Sequence, residues 1–326
     1  MAAIKLRVAD SETPREFNLD EVVTSVSWSF SLEEQPGKLT FDVEDISSEM
    51  FFEGSNVVLW VDGIKVFDGY IFSRKRNDAD TMTVVAYDRL RYLQNKDSAV
   101  FENKSLEQIF HEVCEAQHLP FTRKYLFPNN GYMYPTSSIS HDNKTLYSMI
   151  QRAIDETLIG TGKYYAVRDN LGTLELVDIA SLTTNLLIGD GSLLSGFEFE
   201  SSIDSETYNY IKLADNGGGT VYADLDPTTI NKWGRLQYYE ELNESLTEAQ
   251  IKEKVTKLLN LYNRKTKSLS ITCQGVPEVI AGSGVALYIP KLSAEGVAQR
   301  QYAYCTKVDH TITNGEHKME LTLEVV

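Results

Sequence analysis

The sequence predicts an α+β protein, mainly β. It is expected to hold two similar β-barrel modules, an intervening α/β domain, and one helix associated with the second barrel. Three observations predict this. A short passage recurs near both ends of the chain. Alternating apolar segments of strand length fill the two outer thirds. The middle third switches to helical spacing.

The repeat comes first. One copy runs from Lys38 through Val43 as an alternating strand, then a turn-rich gap, then Gly54-Ser55 and a second strand ending at Trp60. The other runs from Ser268 through Cys273, then Gly282-Ser283 and a strand ending at Tyr288. A Tyr-bearing strand follows each, Gly69–Phe72 or Tyr302–Cys305, and each copy closes on a strand starting at Met82 or Met319. Four elements recurring in order indicate a duplicated module. Val57, Leu59, Val285 and Leu287 are then inward-facing equivalents, because a period of two places them on one face.

Residues 1–95 read as the first module. Ile4–Val8 and Val26–Leu32 alternate, and Asp62-Gly63 is a hairpin signal between two apolar runs. Residues 96–190 read as the α/β domain. Ser105-Leu106-Glu107-Gln108 opens a helix as a capping box, and Pro120 stops it. A second helix places Leu146, Met149, Ile150, Ala153, Ile154 and Leu158 on one face, and Gly160-Thr161-Gly162 ends it. A hairpin turning at Asp169–Gly172 follows. Residues 191–326 read as the second module, interrupted by a helix at about 247–263. Ser245-Leu246-Thr247-Glu248 is the expected capping box of that helix. The stripe Ile251, Val255, Leu258, Leu259 and Tyr262 is expected to pack on the second module.

Composition bounds the function. At 326 residues, with 42% apolar and 24% charged residues, the chain is an ordinary globular one of two or three domains. Its longest apolar run is too short to span a bilayer. The N-terminal residues carry neither the apolar core nor the cleavage signal of a secretory leader, so synthesis and folding in the cytoplasm are expected. Cys114, Cys273 and Cys305 are few and widely separated, which reads as reduced, buried thiols. The net charge of −16 divides as −7, −4 and −5 over residues 1–95, 96–190 and 191–326. Acidity spread in this way repels phosphate backbones, so no specific nucleic-acid partner is expected. The one basic run, Arg74-Lys75-Arg76, reads as a solvated hairpin tip.

Chemistry is sparse. His111, Glu115 and His118 have the i, i+4, i+7 spacing of one helical face, which suits zinc. That face lies opposite the apolar stripe, where solvent is expected, and Glu115 stands where a zinc-protease pattern needs its second His. Gly160-Thr161-Gly162-Lys163 lacks the upstream glycine of a phosphate loop and has Tyr164 after the lysine, so it reads as a helix end. Residues 215–220 read as a hairpin loop, and no nucleophile elbow occurs. The expectation is no catalytic residue, no metal and no cofactor.

One passage carries a resemblance. Phe67-Asp68-Gly69-Tyr70-Ile71, a short charged hairpin, and then Ala86-Tyr87-Asp88-Arg89-Leu90-Arg91-Tyr92-Leu93 resemble baseplate hub proteins of contractile phage tails. The hubs of defective prophages and phage-tail-like bacteriocins are the nearer group. Late control protein D and the hub part of type VI secretion spikes resemble it more distantly. Trp233–Gln237 resembles the segment before the long helix of such hubs.

The resemblance implies a structural protein of a contractile injection system or tailocin. Two similar barrels per chain and a homotrimer would make a symmetry adapter between a six-fold tail tube and a three-fold central spike. The implied partners are the tail tube or a tube-initiator protein, the central spike protein, baseplate wedge proteins and a tape-measure protein. The implied location is a particle released by lysis of the host cell. An acidic lumen is expected, with Asp78, Asp80, Glu198 and Glu200 as contributors. Two other classes stay open. A carbohydrate-binding or adhesin-type tail protein is suggested by the 18 tyrosines, and a cell-wall hydrolase has no motif in its favour.

Overall fold

The computed structural model describes residues 2–33, 35–44, 52–78, 81–122, 139–215, 219–242, 246–297 and 301–324. The first third forms β1 (Ile4–Ala9), β2 (Glu16–Asn18), β3 (Val23–Ser31), β4 (Lys38–Glu44), β5 (Asn56–Val61), β6 (Ile64–Arg76) and β7 (Thr81–Tyr87). Alternation sets the buried face. Leu39, Phe41 and Val43 of β4 and Val57, Leu59 and Val61 of β5 are buried, while their neighbours along each strand are not. Asp62 and Gly63 both take positive φ, 51° and 81°, and turn β5 into β6.

The middle begins with a 3₁₀ turn at Arg89–Gln94. It continues through β8 (Lys96–Phe101), α1 (Leu106–Ala116), β9 (Ile139–Thr145), α2 (Leu146–Thr161), β10 (Tyr165–Asp169) and β11 (Leu174–Asp178). The Ser105–Gln108 capping box forms as expected, with both reciprocal bonds made. Gly162, at φ 72°, closes α2 in the left-handed conformation. Phe110, Val113, Met149, Ile150 and Ile154 share a core with Tyr165, Val167 and Leu174 of the β10–β11 hairpin.

The last third starts with β12 (Thr183–Gly189) and β13 (Leu194–Ser202). An insertion follows: β14 (Tyr210–Asp215), β15 (Thr220–Leu225), α3 (Pro227–Trp233), β16 (Gln237–Leu242) and α4 (Glu248–Tyr262). The chain ends with β17 (Thr266–Gln274), β18 (Gly284–Tyr288), β19 (Gln301–Thr313) and β20 (Glu316–Glu324).

Four expectations need correction. First, α4 does not pack on the second module. Its apolar stripe closes a core with Ile211, Leu213 and Leu242 of a separate three-stranded sheet, ordered β15-β14-β16. The β14–β16 pair is parallel and therefore needs a crossover, which contains α3. The insertion is thus longer than one helix. Second, the capping box of α4 is Thr247 with Gln250, two residues beyond the expected one; Ser245 lies outside the described residues.

Third, β12 falls in the 96–190 segment of the sequence reading but pairs with β18 of the last third. Fourth, no closed barrel forms among the described residues; the outer thirds hold two hydrophobic cores but are joined through one sheet. Eleven of their strands form one antiparallel path, β13-β17-β20-β19-β3-β4-β7-β6-β5-β1-β2, open at both ends among the described residues; β18 pairs with β19 beside it, and β12 pairs parallel with β18. The join is β19 to β3, with Lys307 opposite Ser31 and Thr313 opposite Ser25.

A candidate assembly surface built from a repeated sheet

The two copies of the repeat have the same hydrogen bonds. The Gly54 N–H donates to the Ile71 carbonyl at 2.8 Å, and the Gly282 N–H donates to the Cys305 carbonyl at 2.7 Å. In return, the Ile71 N–H donates to the Ser55 carbonyl at 2.9 Å, and the Cys305 N–H to the Ser283 carbonyl at 3.0 Å. The Ser55 hydroxyl accepts from the Phe52 N–H at 3.3 Å, and the Ser283 hydroxyl from the Ile280 N–H at 3.1 Å. Gly54 and Gly282 take φ 86° and 89°, where a β-carbon is strained.

Register extends the match over five strands of each copy. Leu39 lies opposite Ala86 as Leu269 lies opposite Leu323. The β6–β7 ladder slips after Ile71, and the β19–β20 ladder slips after Cys305. The β3–β4 ladder slips after Val23, and the β13–β17 ladder after Leu194. So β3, β4, β5, β6 and β7 correspond to β13, β17, β18, β19 and β20. The outermost strand breaks the rule, because β1 pairs antiparallel with β5 whereas β12 pairs parallel with β18.

The eight strands from β13 through β3 to β6 form one sheet with a buried apolar face and a polar face. Ser25 donates to Asp42 at 2.7 Å and Thr83 to the other Asp42 oxygen at 2.6 Å, which ties β3, β4 and β7 together across the polar face. The same face carries Glu198, Ser270, Thr322 and Lys307 in one row, and Thr272, Glu320, Asp309 and Ser29 in the next. Glu198 and Glu200, expected at a lumen, lie on this face. Asp78 lies just past the end of β6, and Asp80 lies outside the described residues.

The seam between the halves is packed. His310 on β19 lies flat against Trp28 on β3, and its ring nitrogens meet His317 at 3.0 Å and the Val279 carbonyl at 2.9 Å. Burial, helped by the neighbouring His317, lowers His310 to about 4 although the carbonyl contact opposes it.

The two sequence passages that carry the resemblance meet at a second joint. Asp88 caps the 3₁₀ turn by accepting from the Leu90 N–H at 3.0 Å. Arg89 reaches Asp68 at 3.3 Å and Asp169 of β10 at 3.7 Å, and its guanidinium stands 5.2 Å from the Tyr70 ring centroid. Leu90 and Leu93 then enter the core of the middle third. Gly69 is required there, because a β-carbon would come within 2.3 Å of the Tyr87 carbonyl oxygen. Burial raises the Asp68 carboxyl, but bonds from Lys65 and Asn56 outweigh it and leave the group below the usual range. Burial and the charge of Asp169 push the Asp88 carboxyl well above that range. A cavity of about 200 Å³ lies beside this joint, lined in part by Phe30, Leu32, Asp88, Val167 and Ile280.

The zinc-spaced residues do not share a helical face. α1 ends at Ala116, and His118 follows it in the left-handed conformation at φ 52°. The His111 ring packs 5.1 Å from the Phe121 ring. Among the described residues no group of three or more His, Cys, Asp or Glu could hold a metal ion. Lys163 follows the α2 cap directly, so the glycines there serve as a helix end. Among the described residues, the exposed aromatics Phe72, Tyr239 and Tyr302 lie on β6, β16 and β19. All three cysteines are buried and free. No described helix is long and apolar enough to cross a membrane.

Residues 26–324 match the family model described as YqbQ-like. The chain belongs to the YqbQ-like family. Within it, the chain is 30% identical to YqbQ of Bacillus subtilis over 279 residues, covering 84% of this chain and 81% of that protein. It is 28% identical over 242 residues to XkdQ of the phage-like element PBSX of the same species, covering 73% of each. The fold is also that of the 43 kDa tail protein of prophage MuSo2 from Shewanella oneidensis. The TM-score is 0.69 at 13% identity, over 98% of this chain and 97% of that one. The family match takes in both copies of the repeated unit.

Proposed function

We propose that this chain is a structural hub of a contractile tail baseplate. In this reading three copies form a ring that adapts a six-fold tail tube to a three-fold central spike. The observation that carries it is the repeat: one chain presents the same five-strand unit twice, in the same register, side by side in one sheet. A chain built this way offers two similar surfaces per copy, so three copies offer six upward and three downward. Kinship with a protein of a phage-like element supports a place in such a particle.

The partners in this reading are the tube or tube-initiator protein, the spike, wedge proteins and a tape-measure protein. The role is mechanical, with no reaction assigned to any residue. The polar sheet face is the natural channel wall. On its second half Glu198, Glu200, Asp309, Glu320 and Glu324 outnumber Lys307 and Lys318, and an acidic wall disfavours adsorption of a passing polyanion. The particle is assembled in the host cytoplasm and leaves by lysis.

Electron microscopy of particles carrying a tagged copy tests this. The tag is expected at the junction of tube and spike. A tag on peripheral fibres contradicts the hub and supports a receptor-binding role.

A further inference from the structure

The seam β19–β3 has a counterpart that is half present at each end of the sheet. β19 receives β3 along Lys307–Thr313, just beyond its bulge. In β6 the stretch beyond the equivalent bulge starts at Ser73, which corresponds to Lys307. There β6 has β7 on one side, and among the described residues no strand on the other. The counterpart of β3 is β13, the terminal strand of the path, with only β17 beside it.

Burial marks the same difference. Val26 and Trp28 of β3 are 1% and 2% exposed. Their equivalents on β13, Phe197 and Phe199, are only partly buried. His310 is 1% exposed, whereas its equivalent Arg76 is exposed.

We propose that β13 of one copy pairs antiparallel with the outer half of β6 of the next copy, in the register of the internal seam. Applying that register places Ser73 opposite Ser202, Lys75 opposite Glu200, and Arg76 opposite Phe199 of the neighbouring copy. Charge favours this occupant over any other strand. Lys75 lies on one edge and Glu198 and Glu200 lie on the other, all on the polar face; Arg74 lies on the opposite face, paired with Glu53 at 3.1 Å.

Charged residues ordinarily blunt an open sheet edge against chance pairing. Two edges of opposite sign instead repel copies of themselves and attract each other. The internal seam has Ser29 and Asp309 at the positions equivalent to Glu200 and Lys75, so the charge pair belongs to the contact between copies. The contact joins unlike surfaces head to tail, and such contacts close into a ring when the rotation per copy allows. The number of copies rests on the hub reading above; the contact itself rests on the register.

Disulfide trapping tests it in the full chain. Residues directly opposite in an antiparallel pair have Cα separations of about 4.5–5.5 Å, within reach of a disulfide. The double variant Lys75→Cys/Glu200→Cys is oxidised in solution and in particles from the producing strain. A linked ladder of dimer and trimer is expected, lost when either cysteine is omitted. A preference for Lys75→Cys/Glu198→Cys, two residues out of register, overturns the pairing as stated. So does the absence of any link in both preparations.

Charge reversal gives a second readout. Lys75→Glu is expected to abolish assembly and Lys75→Glu/Glu200→Lys to restore it; failure of the double variant to restore assembly contradicts the pairing. Three copies per particle without the 75–200 link overturns this contact and leaves the hub intact. The link with a different copy number keeps the contact and overturns the trimeric hub.

Discussion

His310 lies stacked on Trp28 with ring centroids 4.5 Å apart and 6° between their planes. The contact bridges β19 and β3, the two strands through which the halves of the repeated sheet become one. Because the pair sits at the seam, whatever loosens it loosens the arrangement that presents the unit twice.

The first prediction concerns pH. His310 is buried, with a folded-state value of about 4 against an ordinary 6.5. The neutral ring is the form that folds, so its contribution is fully present above pH 6.5 and is lost as pH falls towards 4. The unfolded chain takes up a proton there that the folded chain refuses. The loss at pH 5 relative to pH 7.5 is about 2 kcal/mol. Urea unfolding of the wild type and His310→Phe at both pH values isolates it, since the carboxylates cancel in the difference. Equal pH dependence of the two proteins contradicts the assignment.

The second concerns the matched serines. Ser55→Ala leaves the Phe52 and Ser11 backbone N–H groups without their hydroxyl acceptor, and Ser283→Ala leaves that of Ile280 without its own. Each is expected to cost about 1–2 kcal/mol by denaturant unfolding. A large loss at one and none at the other contradicts their equivalence.

The third concerns Arg89. Its removal takes a cation from Asp169, whose side chain is 1% exposed and keeps the backbone N–H groups of residues 89 and 172 as donors, and takes one of two cations from Asp68. Arg89→Met is expected to destabilise by about 3 kcal/mol, because a buried charge is left uncompensated. Arg89→Lys is expected to recover only part, since one ammonium does not reproduce the planar fork. Full stability of Arg89→Met contradicts a structural role for this joint.

The fourth concerns metal. Replacing His111, Glu115 and His118 together with Ala is expected to leave particle assembly unchanged, and the purified chain is expected to carry no stoichiometric zinc by elemental analysis. Zinc at one equivalent, lost in the triple variant, contradicts this.

Much of the fold was legible in the sequence. The strands of both copies declare themselves because Leu39, Phe41 and Val43, and again Leu269, Ile271 and Cys273, alternate with polar neighbours. Glycine before serine marks the same turn twice. The helices α1 and α2 carry their caps in plain residues, Ser105 and Gly162. The seam was not legible. It joins Ser25–Ser31 to Lys307–Thr313 through backbone groups, which every residue has.

The insertion was missed for a related reason. Tyr208–Leu213 alternates as any strand does, and alternation does not say which sheet a strand enters. The cap of α4 was misplaced because Ser245-x-x-Glu248 and Thr247-x-x-Gln250 both fit the pattern. The zinc spacing assumed a helix through His118, two residues past its end. Asp68, Arg89 and Asp169 come together only in three dimensions, although the passage holding the first two was the one that stood out.

The proposed hub holds three copies of this chain. The most direct measurement is its copy number in the isolated tube–spike core of the particle, by native mass or quantitative electron microscopy. Three copies per core are expected, and a core with two or six copies contradicts the account.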